Sequence, residues 1–110
     1  MAANLDYLDP NLIPLEEKAQ AYIDAEQELR RIELARQVAT GQPEHQQQLT
    51  QSQQALQAEL DRLHGEILAL LPTRNEWVKV NLGYGPSRVG AWHVPAAEGR
   101  PEHYEIRVVH

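Results

Sequence analysis

The sequence predicts an α+β protein: a long antiparallel two-helix hairpin, coiled-coil-like, followed by a small three-stranded antiparallel β-meander packed at the hairpin base. Three observations carry this. Apolar residues recur at spacings of three and four over 14–40 and again over 43–71, the period of one helix face. Thr40-Gly41-Gln42-Pro43 interrupts the two runs, and so short a connection makes them antiparallel neighbours. After Pro72 the period drops to two in three short runs within 76–109, as half-buried strands require.

Residues 1–13 read as an N-terminal arm with a turn at Asp9-Pro10-Asn11 and with Leu5, Tyr7, Leu8, Leu12 and Ile13 to pack against the hairpin base. Pro14 suits the first helical position, where its missing N–H is not needed, and Glu16 and Glu17 follow where the helix dipole favours acids. The first stripe is Leu15, Ala19, Tyr22, Ala25, Leu29, Ile32 and Ala35. Gly41 is a common helix stop. Pro43 then opens a second helix whose stripe is Leu49, Gln53, Leu56, Leu60, Leu63, Ile67 and Leu70, the spacing of a coiled-coil seam, until Pro72 ends it. Each helix is on the order of 40 Å long at about 1.5 Å per residue. The seam is polar toward the turn, with eight glutamines between Gln42 and Gln57, so the apolar mass lies at the open end and the sheet is expected there.

In the tail, Val78, Val80 and Leu82 share one face of a first strand. Gly83-Tyr84-Gly85-Pro86-Ser87 is a turn cluster, Arg88 to Val94 a second strand, and Tyr104, Ile106 and Val108 share one face of a third. Three strands alone are marginal and need a helix over their apolar face. The 110 residues fit one domain, 1–110. With no Phe, the core must come from Leu, Ile, Val and Ala, and Trp77 and Trp92 are read first as core at the base and second as interface anchors.

A net charge of −6 with no basic stripe argues against nucleic acid as a partner. Zero cysteines removes disulfides, thiolate metal sites and cysteine nucleophiles. No run approaches the roughly 18–20 apolar residues of a membrane span, and the start lacks a signal-peptide pattern. The expected location is therefore cytoplasmic, or a host cytoplasm or virion if the chain is phage-encoded.

Candidate chemistry is thin. His93, His103 and His110 share the tail without the ligand spacing of a zinc site, so no metal and no cofactor are expected. Ser87, His93 and Glu105 can be drawn as a triad, but the strained nucleophile elbow is absent, and the chain is read as a non-enzyme. Apolar residues off the main seam, Ile23, Leu34, Val38, Leu68 and Leu71, exceed what one hairpin can hide. The leading expectation is accordingly a protein–protein interaction or assembly module acting as a homo-oligomer, most simply a two-fold dimer. A phage or mobile-element inhibitor or adaptor of a host protein fits that pattern. The alternative is an oligomer binding a phosphate or nucleotide at the 83–88 turn, through Tyr84, Ser87, Arg88 and Trp92. A virion structural component is the second alternative.

Overall fold

A computed structural model describes residues 10–83 and 86–109. Most of the expected arm, with Tyr84 and His110, lies outside the described residues. Pro10–Leu12 form a single 3₁₀ turn that leads into helix α1, Ile13–Val38. Helix α2 is Pro43–Leu70, and the strands are β1 Val78–Asn81, β2 Pro86–Val94 and β3 His103–Val109. The helices pack side by side, and the molecule measures 57 × 35 × 17 Å.

Local chemistry sets the helix ends. Gly41 takes φ +87°, a left-handed conformation open to glycine at no steric cost, and Gln42 N–H donates to Ala39 O at 3.0 Å. Helix α1 begins one residue earlier than expected, since Pro14 is as acceptable at the second position as at the first, and it stops two residues earlier. The far end of α2 departs more. Leu71 was expected to be left-over surface and Leu70 seam, yet Leu71 is buried and Leu70 exposed. The helix ends at Leu70 and Leu71 turns extended, with φ −66° and ψ 127°, which swings its side chain inward as the chain leaves for the sheet. Arg74 closes this end. Its Nη2 donates to Leu68 O at 2.5 Å and its Nη1 to Leu71 O at 3.1 Å, satisfying carbonyls that a helix terminus leaves open.

The sheet is an antiparallel meander in the order β1-β2-β3. Val78 pairs with Val89 and Val80 with Ser87; Val89 pairs with Val108, Ala91 with Ile106 and His93 with Tyr104. Because successive side chains alternate between faces, these positions all point toward the helices. Leu15, Ala19, Ile23, Ile67 and Leu71 meet Val80, Leu82, Val89 and Ala91 in one core. A smaller seam core continues up the hairpin through Ala25, Leu60 and Leu63. Above that the helices are held by polar contacts: Arg36 Nη1 donates to Gln53 Oε1, and Gln46 Nε2 donates to Arg36 O at 2.5 Å.

Two hydrogen bonds tie the sheet's outer strands to the helices. Asn81 N–H in β1 donates to Glu16 Oε2 at 2.6 Å, and His64 Nε2 donates to Tyr104 O in β3 at 2.7 Å.

Candidate functional site

The residues singled out in the sequence divide into three places. Ile23 and Leu71, expected to be uncovered, are buried in the core at the base. A bare hairpin would leave Ile23 exposed beside the seam; here the helix-facing side of the sheet covers it. Leu68 is half-buried and packs against the same core. Leu34 and Val38 are left as expected, with 61% and 83% of their surface open.

Those two side chains stand one helical turn apart near the hairpin tip, at the i and i+4 positions that share a helix face. With Ala35 of α1, Ala39 just past its end, and Gln42 and His45 across the turn they line an open groove of 350 Å³. The groove belongs to the polar end of the hairpin, where Gln46, Gln53 and Arg36 replace the leucine seam. Arg36 Nε is buried there and meets no hydrogen-bond partner among the described residues. Desolvating a polar group without compensation costs free energy, so the tip contributes less to stability than the base. Toward the middle of α1, burial pushes the Glu26 carboxyl above its ordinary 4.5, with Arg30 pulling it back down. The Tyr22 hydroxyl is raised for the same reason, with the charges of Glu26, Asp61 and Glu105 adding to burial.

The third place is the sheet, and there the turn residues do not converge. Tyr84 is outside the described residues. Ser87 points at the helices and is only 2% exposed, whereas Arg88 and Trp92 alternate onto the opposite, outward face. Arg88 and Trp92 are themselves about 13 Å apart along the strand at about 3.3 Å per residue. A pocket built from Ser87, Arg88 and Trp92 together is not what this register makes.

The register likewise separates the other groupings considered. Ser87 and His93 lie six residues apart on β2, about 20 Å, and Glu105 pairs with Trp92 on the other face. His93 pairs with Tyr104 and His103 with Val94, so the two imidazoles project to opposite sides. His93 instead contacts the Glu102 carboxylate at 3.1 Å and the Tyr104 ring edge-on at 5.7 Å.

The tryptophans, read first as core, are not in it. Trp77 is 40% exposed, and its ring meets that of Trp92 edge-to-face at 4.4 Å between centroids. Both lie on the outward face, Trp92 folded over Gly90: a Cβ at position 90 would come within 2.6 Å of its ring and 2.8 Å of Glu76 O. Strand parity carried this signal, since Val78 and Val80 facing in puts Trp77 out, and Val89 and Ala91 facing in puts Trp92 out. Comparison with family models, with curated proteins and with solved structures returned no match to this chain.

Proposed function

We propose that this protein is a non-enzymatic interaction and assembly module that works as a homodimer, two hairpins pairing through their tips. The observation that carries the reading is the exposure of Leu34 and Val38, 61% and 83%, side by side on the face of α1 that borders the groove. Under two-fold symmetry the same patch meets itself, so an antiparallel crossing sets Leu34 of one copy against Val38 of the other. Burying these side chains supplies apolar contact at the end of the hairpin whose own seam is polar. A patch of this size falls toward the small end of specific interfaces, which makes the dimer concentration-dependent. An adaptor or inhibitor of another protein would draw on the same surface. The phosphate-ligand alternative loses support from the inward-facing Ser87.

Sedimentation or light scattering of the wild-type chain and of Leu34→Glu/Val38→Glu tests this. Wild type is expected to be dimeric at high micromolar concentration and the double variant monomeric, with unchanged far-ultraviolet circular dichroism because both positions are solvent-facing. A wild-type monomer throughout that range overturns the dimer.

A further inference from the structure

The chain as a whole is acidic, at −6, but its charge is segregated in the sheet. The three strands hold three cations, Lys79, Arg88 and Arg107, and a single carboxylate, Glu105. Register and alternation place all four on the outward face. Lys79 pairs directly with Arg88, and Arg107 pairs with Gly90, one outward position along β2 from Arg88. Glu105 is bonded to Arg107 at 3.3 Å. The Lys79–Arg88 pair thus sets two cationic side chains next to each other on this face. On the same face the next rungs carry Trp92, with Trp77 packed edge-on against it.

The aromatic pair is held in place from beneath. Trp92 covers a glycine that no larger residue could replace without displacing the ring or the Glu76 backbone. The result is a surface with cations at one end and, at the other, a pinned pair of indoles beside Glu105, the cross-strand neighbour of Trp92.

We infer that this outward face binds single-stranded nucleic acid. Unpaired bases stack on aromatic side chains with little regard for sequence, while basic groups beside them follow the phosphates. Both halves of that chemistry are present here: Arg88 and Trp92 are two outward positions apart on β2, with Lys79 and Arg107 on the strands either side. An acidic peptide would use the cations but give the indoles nothing planar to stack on. A duplex keeps its bases stacked inside and offers the platform only backbone. The acidic helices lie on the opposite side of the sheet and do not share this surface, which is why the net charge of the chain misrepresents it.

Trp77 and Trp92 are the only tryptophans in the chain, so intrinsic fluorescence reads the site directly. The full chain is titrated at low salt with oligothymidylate and oligouridylate of about 15 nucleotides, near the upper site size of one such platform. Saturable quenching is expected. Raising the salt should weaken binding, with a log–log slope of about −0.7 for each cation that meets a phosphate of a single strand. Arg88→Glu/Arg107→Glu should weaken binding at least about tenfold, given that each lost phosphate contact compounds with the others, with circular dichroism unchanged. Trp77→Leu, at a half-open position, should also weaken it, with Trp92 left to report. Polyglutamate of equal length is the competing probe. Absence of saturable quenching by either oligonucleotide overturns the inference, as does equal binding by the double-charge variant or by polyglutamate. The tip is remote from this face, so a failed dimer test leaves the result readable.

Discussion

Asn75 has φ +61°, the only non-glycine residue with positive φ among those described. Asparagine reaches this region more readily than most residues. Two hydrogen bonds hold it: its N–H donates to Ala91 O at 2.8 Å, and its Oδ1 accepts from His93 N–H at 2.9 Å. The residue thereby fastens the α2–β1 connection to the middle of β2. Replacing it with alanine removes the acceptor and leaves a Cβ residue in a left-handed conformation, each a cost of about 1–3 kcal/mol at most. Asn75→Ala is therefore expected to lower the melting temperature by several degrees, and Asn75→Asp, which keeps the acceptor, by distinctly less. Equal melting temperatures for Asn75→Ala and wild type would show that this link does not bear on stability. At this scale the sequence was only partly legible. Leu34 and Val38 could be assigned to the surface from helical spacing alone, because among the described residues the sheet lies at the other end of the hairpin. Ile23 could not, since its burial depends on a sheet more than fifty residues away in the chain. Asn75 and Arg74 escaped notice because their work is done by hydrogen bonds to backbone, which leave no hydrophobic pattern.

Punctuation residues made the elements readable. Gly41, Pro43 and Pro72 each act on the backbone of their immediate neighbours, so the helix limits follow from local sterics. What local sterics did not reveal is how unevenly the seam is filled. Leu63 and Ile67 are almost completely enclosed, whereas Leu49 and Leu56, on the same stripe of α2, are only half-buried. A leucine truncated in a full core leaves a cavity and costs about 2–5 kcal/mol; one already open to water costs less. Leu63→Ala is expected to lower the denaturation midpoint sharply, and Leu49→Ala to lower it by less than half as much. Chemical denaturation of the two variants decides the matter, and comparable losses would mean that the tip contributes as much as the base. The strands were legible as runs of alternating residues, but which face each tryptophan took needed the parity of Val78, Val80, Val89 and Ala91 as a reference.

For the whole molecule these differences add up to a gradient along the 57 Å axis. The sheet, the first turns of α1 and the last turns of α2 share one core, while the turn at Gly41 rests on a few polar contacts. Regions with few buried apolar contacts open most readily. Amide hydrogen exchange should therefore be fastest in 43–50 and slowest in 60–67, and raising the protein concentration should slow exchange at the tip selectively if tips pair. Uniform protection along α2 would contradict the gradient, and a tip unaffected by concentration would contradict the pairing. The order of the strands has a separate consequence. Because β2 lies between β1 and β3, both ladders draw on the same nine-residue strand. Damage to an outer strand unzips one side, while disruption of the central one loosens both ladders and uncovers the helices beneath.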